Sequence, residues 1–220
     1  MSIFEIIGPV MVGPSSSHTA GADKIGLITA KLLGEKPVKA VITLSGSFAA
    51  TGKGHGTDRA IIAGLLDMKP DDKRIPESLN IAARSGLTFY FNMRDIKDAH
   101  PNTALIDVTG VSGRHIEVQA ASVGGGRIRV TKLDGVAVNF SADMPTLIVN
   151  NEDKPGCVAE ITDALSKAHI NIATMQLYRD RRGGLAVMVV ELDNPIEDNF
   201  ANDLTNLSGV TRVVYTGGLD

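Results

Sequence analysis

The sequence predicts an α+β protein of two domains, residues 1–143 and 146–220, on three observations. Along the first part, stretches with apolar residues at helical spacing alternate with short β-branched runs, as expected of mixed helix and sheet. Asp143, Met144 and Pro145 then interrupt the pattern. After them the elements follow the order βαββαβ, a split-βαβ or ferredoxin-like arrangement.

In the first part, Ala22, Ile25, Thr29 and Leu32 recur three and four residues apart, which predicts a helix stopped at Gly34. Val38 to Leu44 is a β-branched run and reads as a buried strand. Ser45 to Gly56 is rich in glycine and reads as a loop, after which Thr57 can cap a helix through Asp67. Pro76 suits the first turn of a shorter helix to Arg84. Strands are predicted over 87–93, 103–109, 115–123, 127–133 and 136–140. Gly124, Gly125 and Gly126 make a hairpin between the third and fourth of these, because glycine accepts positive φ.

In the second part, residues 146–149 read as a strand and 151–156 as a turn. Gly156 to His169 reads as a helix with Val158, Ile161, Leu165 and Ala168 on one face. Strands follow over 171–179 and 185–192, joined by a turn. A helix over 196–207 presents Ile196, Phe200, Leu204 and Leu207, and a strand over 210–215 closes the set.

A chain of 220 residues is long enough for one large or two small cores. With no Trp, three Tyr and six Phe, those cores must be aliphatic. A net charge of −3 gives no pull toward nucleic acid or an anionic membrane. No uncharged apolar run approaches the ~20 residues needed to span a bilayer. The start, MSIFEII, lacks the basic and apolar segments of a signal peptide. The single cysteine, Cys157, has no partner for an internal disulfide, so a cytoplasmic location is expected. One thiol also holds neither a cluster nor a Cys-rich zinc site, so no metal ligand is assigned to this chain. Cys157 itself reads as a small buried residue.

Three polar clusters interrupt the apolar first domain: Ser15-Ser16-Ser17-His18-Thr19, Thr51-Gly52-Lys53-Gly54-His55-Gly56-Thr57-Asp58, and His100-Pro101-Asn102. The first two abut predicted helix N-termini, where free N–H groups and the positive end of the dipole favour an anion. Hydroxyls add donors, Lys53 adds charge, and His18 and His55 can serve as acid or base. Such a set suits a small carboxylic acid with a proton acceptor beside it. Taken alone, Ser17 or Thr57 reads as a plain helix cap, and His100 as part of a surface turn. Three histidines, each among Gly, Ser, Thr or Asn, argue for a site. His115, on a strand, reads as structural.

Gly46 to Gly54, GSFAATGKG, superficially suggests a phosphate loop. That loop requires G-x-x-x-x-G-K-[ST]. Here the first two glycines are one residue too far apart, and Gly54 stands where Ser or Thr would bind magnesium. Nucleotide binding is not expected.

The stretches Val12 to Thr19, Gly52 to Asp58 and His100 to Thr103, taken in that order, resemble the β-subunit region of iron–sulfur L-serine dehydratases. The resemblance covers roughly residues 1–140. It implies dehydration of L-serine to pyruvate and ammonia. A [4Fe-4S] cluster with one iron free of cysteine then acts as Lewis acid on the serine hydroxyl. Since this chain has one cysteine, the cluster is expected on a cysteine-bearing α subunit. On that reading His18, His55, His100, Lys53 and Asn102 provide proton transfer or orientation. Ser15, Ser16, Ser17, Thr19, Thr57 and Asp58 bind substrate. A related fold is also known as a regulatory, substrate-like binding domain in some phosphoglycerate dehydrogenases, so the pocket can be catalytic, allosteric or both.

Asn151-Glu152-Asp153-Lys154-Pro155-Gly156, the helix after it, Ile170-Asn171-Ile172 and the Gly183-Gly184 pair resemble the ACT family across residues 146–220. ACT domains sense small molecules, usually amino acids, and pair side by side. Backbone N–H groups near Gly156 and Cys157 can hold a carboxylate there, with Asn151 and Asn171 supplying amide contacts. The resemblance implies self-association through this domain. A small amino acid, L-serine, is the expected ligand of the chain, with the ACT domain's own ligand left open. Pro155 and Gly156 can equally serve only to shape the turn. The competing function is a stand-alone amino-acid sensor without chemistry. Co-purification with a brown, cysteine-rich chain would discriminate the two.

Overall fold

The computed structural model describes residues 10–219, so the reading of MSIFEII falls outside the described residues. The chain divides into two compact units, 1–134 and 135–220. The division comes earlier than Asp143 because β6 (Val136–Phe140) is grouped with the second unit.

In the first unit a π-helical turn, Ser16–Ala20, runs into α1 (Gly21–Leu33). Gly34 ends α1 in the left-handed conformation, its N–H donating to the Ala30 carbonyl, as the sequence predicts. Next come β1 (Pro37–Leu44), α2 (Gly46–His55), α3 (Thr57–Leu65), a 3-10 turn at Ile75–Glu77 and α4 (Ser78–Ser85). The strands β2 (Thr88–Met93), β3 (Thr103–Gly110), β4 (His115–Gly124) and β5 (Arg127–Leu133) follow.

The sheet of this unit runs in the order β2-β1-β3-β4-β5. β1 and β2 are parallel and are joined through the helices, whereas β3, β4 and β5 are an antiparallel meander. The register places Ala40, Ile42 and Leu44 beside Val108, Ile106 and Ala104. All six are buried on one face of the sheet, and α1 packs on that face over β3, β4 and β5. Asp107 and Thr109, on the opposite face, are only half-buried, which gives the alternation of a one-sided sheet. His115 sits on that outer face, 3.0 Å from the Asp107 carboxylate, the structural role expected of it.

Two sequence expectations fail here. Residues 45–56 are not a loop: all but the two ends form α2. Thr57 does not cap α3. It is the first helical residue after Gly56, is fully buried, and donates its hydroxyl to the His18 carbonyl at 2.9 Å.

The second unit has the predicted βαββαβ order after β6: β7 (Thr146–Glu152), α5 (Cys157–Lys167), β8 (Ile172–Arg179), β9 (Leu185–Leu192), α6 (Asp198–Leu204) and β10 (Val210–Thr216). Its sheet is β10-β7-β9-β8, fully antiparallel. Ile161 and Leu165 of α5 and Leu204 of α6 pack on Leu147, Val149, Met188 and Val190. β7 is longer than expected and includes Asn151, so Asn151 belongs to a strand and not to the turn after it.

Candidate functional site

The site is built around α2. Its first residue, Gly46, has φ +56, and a Cβ there would come within 2.6 Å of the Pro101 carbonyl oxygen. That carbonyl also accepts the Phe48 N–H at 3.4 Å, and the Ser45 N–H donates to the Thr103 carbonyl. The His100–Asn102 loop is thus fixed against the start of α2. At the other end Gly56, left-handed with φ +72, ends α2 and begins α3. Phe48 anchors the helix in the core.

Ser47, Thr51 and His55 lie four residues apart on α2 and so share one face. His18, on the π-helical turn, meets that face. Its Nε2 lies 3.1 Å from both the Ser47 and the Thr51 hydroxyls. Its ring centroid is 5.0 Å from that of His55 and 5.2 Å from that of Phe48, the latter edge-on. Burial, and secondarily the His55 ring, push the His18 pKa below its ordinary value. The Ser47 backbone opposes the shift. His18 is therefore neutral at pH 7 and able to accept a proton.

Three hydrogen bonds fix the turn. The Ser15 hydroxyl accepts the His18 N–H at 3.1 Å, Thr19 donates to the His55 carbonyl at 3.2 Å, and Thr57 donates to the His18 carbonyl. These contacts give Ser15, Thr19 and Thr57 partners within the chain, besides the substrate role expected of them. Thr19 and Thr57 are buried braces whose hydroxyl protons are spent on backbone, and Ser15 is a cap. Asp58 accepts from the neighbouring Arg59 N–H at 2.8 Å. Ser16 and Ser17 are half-buried, with hydroxyls engaged by no described residue.

Lys53 lies on another side of α2. With Thr19, His55, Gly56 and Arg59 it lines a cavity of about 170 Å³. Arg59 is a cation that the sequence reading missed. Its place one turn into α3 beside Lys53 is set by the tight joint at Gly56. Ser16 and His100 do not line this cavity. His100 is exposed, and its Nδ1 accepts the Asn102 N–H at 3.1 Å. Ser47 was also missed, and Thr51, though part of the second polar cluster, was given no role, because their shared face exists only once residues 46–55 are helical.

In the second unit Gly156 precedes α5 with φ +101, and Cys157 is buried, its thiol donating to the Ser208 carbonyl. Asn151 is buried, its amide N–H donating to the Glu152 carbonyl. Asn171 does not join them. The register sets Asn151 level with Ala186, whereas Ile172, next to Asn171, is level with Leu192. Six strand positions separate Asn151 from Ile172, about 20 Å at ~3.3 Å per residue, and Asn171 lies beyond it. Asn171 instead donates to the Asp193 carboxylate. Closer to the turn lies Asp153, which accepts from Gly183 N–H at 2.9 Å and Arg179 at 3.0 Å. These contacts hold its carboxyl below the usual range.

The one thiol is enclosed beside Ser208, and among the described residues no three His, Cys, Asp or Glu side chains gather as a metal site would need. No described helix is long and apolar enough to cross a membrane.

Comparison with known proteins adds the following. The serine dehydratase beta chain family model matches residues 2–85, and the ACT domain model residues 145–209. The first span contains His18, Ser47, Thr51, Lys53 and His55, and His100 lies beyond it. The probable L-serine dehydratase beta chain of Bacillus subtilis (strain 168) is 42% identical over 212 residues, 96% of either chain. The L-serine dehydratase beta chain of Peptoniphilus asaccharolyticus is 33% identical over 215 residues, 97% of either chain. A D-3-phosphoglycerate dehydrogenase of Synechocystis is 26% identical over 197 residues, 89% of this chain but 35% of that one.

Proposed function

Because the chain belongs to the serine dehydratase beta-chain family, we propose that it is the beta subunit of an L-serine dehydratase, acting with a cysteine-bearing alpha subunit to turn L-serine into pyruvate and ammonia. The observation that carries this reading is likeness to two such beta chains along almost the whole of all three sequences. The same observation weighs against a stand-alone sensor.

This chain's share of the work follows from its geometry. His18 is neutral and set among hydroxyls, so it accepts a proton from a bound acid or orients one. The uncommitted hydroxyls of Ser16 and Ser17, one turn before α1, suit the substrate carboxylate. His55, Lys53 and the half-exposed side of α2 form the face offered to the alpha subunit, with the His100–Asn102 loop at its edge. In this reading the [4Fe-4S] cluster belongs to that partner, no residue of this chain ligates it, and the two chains form a heterodimer.

The ACT domain binds a small amino acid, with L-serine the first candidate, at the turn before α5. Asn151, Gly156 and Cys157 are retained there, and Asn171 is not. ACT domains of two copies associate with each other. A lone buried thiol suits the reducing cytoplasm.

The test uses the purified alpha subunit mixed with this chain carrying His55→Ala. The expected result is loss of most serine turnover while the two chains still co-elute. Turnover equal to that of the unmodified chain would remove His55 from the site.

A further inference from the structure

We propose that Ser47 and Thr51 are positioning residues that hold His18 as its Nε2–H tautomer, so that Nδ1 is the ring's proton-accepting atom. The argument is a count of hydrogens. The Thr51 hydroxyl has one, and its geometry directs that hydrogen to the Ser47 carbonyl, 2.9 Å away. A carbonyl only accepts, so the direction of that bond is fixed. The same Thr51 oxygen lies 3.1 Å from His18 Nε2. With its hydrogen spent it can only accept there, and Nε2 must carry the proton. The Ser47 hydroxyl, also at 3.1 Å from Nε2, is free to accept the same N–H.

Burial and the His55 ring keep His18 neutral, so the imidazole has one hydrogen to place. Placed on Nε2, it leaves the lone pair on Nδ1, and no described residue donates to that atom. Ser47 and Thr51 lie one helical turn apart, so a single face of α2 both grips Nε2 and aligns the ring. Helix residues of this kind fix a histidine tautomer as a carboxylate or carbonyl does elsewhere.

Only the catalytic consequence rests on the dehydratase reading: within it, Nδ1 is the atom offered to an acidic hydrogen of the substrate. The tautomer itself is a property of this chain alone, and is tested without partner or serine. The full chain, labelled with 15N-histidine, is examined by long-range 1H–15N correlation above the His18 titration, with His18→Asn providing the assignment. The expected result is one neutral species with its proton on Nε2. Ser47→Ala combined with Thr51→Val should raise the Nδ1–H population severalfold, and Thr51→Ser, which keeps the hydroxyl, should restore the single species. Unchanged signals from His115 and His169 report that a variant keeps its fold. A proton on Nδ1 in the unmodified chain would overturn the proposal on its own. So would a double variant that keeps its fold and leaves the tautomer unchanged. Serine turnover in the mixed complex reports separately on the dehydratase reading.

Discussion

Asp23 on α1 is fully buried, neither of its carboxylate oxygens has a hydrogen-bond partner, and its pKa is pushed up to about 8. Burial is the main cause, with the charges of Asp72 and Asp71 adding to it and Lys24 opposing them. In the unfolded chain the group titrates at its ordinary 3.8. Between these two values the folded chain holds one proton more than the unfolded chain, so stability falls as pH rises through the window. One proton corresponds to about 1.4 kcal/mol per pH unit, hence about 2.7 kcal/mol between pH 5 and pH 7. Asp23→Asn keeps the shape and removes the titration. Urea unfolding of both proteins at pH 5 and pH 7 measures the difference. The variant should gain on the unmodified chain by about 2.7 kcal/mol across that interval. A stability difference independent of pH would refute the claim that Asp23 is buried as the neutral acid.

Other predictions follow from close contacts and from the histidine pair. A Cβ on Gly64 would lie 2.0 Å from the Asp23 carbonyl oxygen, and one on Gly26 2.1 Å from that of Ile61. These clashes involve backbone, so Gly64→Ala should force α1 and α3 apart and cost ~2–3 kcal/mol or more, read as a fall in Tm. Thr57→Val leaves the His18 carbonyl without its side-chain donor in a buried place and should cost ~1–3 kcal/mol by urea unfolding. His55→Ala removes one of the two causes that lower the His18 pKa, so an NMR titration should show His18 titrating at higher pH than in the unmodified chain. Unlike Asp23, His18 is less protonated folded than unfolded. Its contribution is therefore present above the ordinary histidine pKa of 6.5 and is lost as pH falls through its lower folded value.

The second unit was legible because its helices announce themselves: Val158, Ile161 and Leu165 recur at helical spacing, and β9 reads as an apolar run from Leu185 to Val190. Its candidate site was only half legible. Asn171 and Asn151 both border α5 in sequence, but the eleven residues of that helix separate them by ~16 Å along its axis, and register decides which end of the sheet each joins. In the first unit the misreading of 45–56 has a local cause. Gly46, Gly52 and Gly54 each cost about 1 kcal/mol in a helix, and local propensity argues for a loop. Tertiary contacts reverse that preference: buried Phe48, the Pro101 carbonyl on Gly46, and the bonds from Ser47 and Thr51 to His18. Thr19 and Thr57 show the converse error. Hydroxyls beside histidines suggest ligand binding, yet here they also tie the turn to α2 and α3, and nothing in a sequence separates a brace from a ligand.

The most direct test of the whole account is pyruvate formation from L-serine by the purified alpha subunit alone, by this chain alone and by the two mixed, under anaerobic conditions. Turnover that appears only in the mixture, and disappears with His18→Ala in this chain, is the predicted result. An alpha subunit equally active on its own, or a mixture unaffected by His18→Ala, would contradict it.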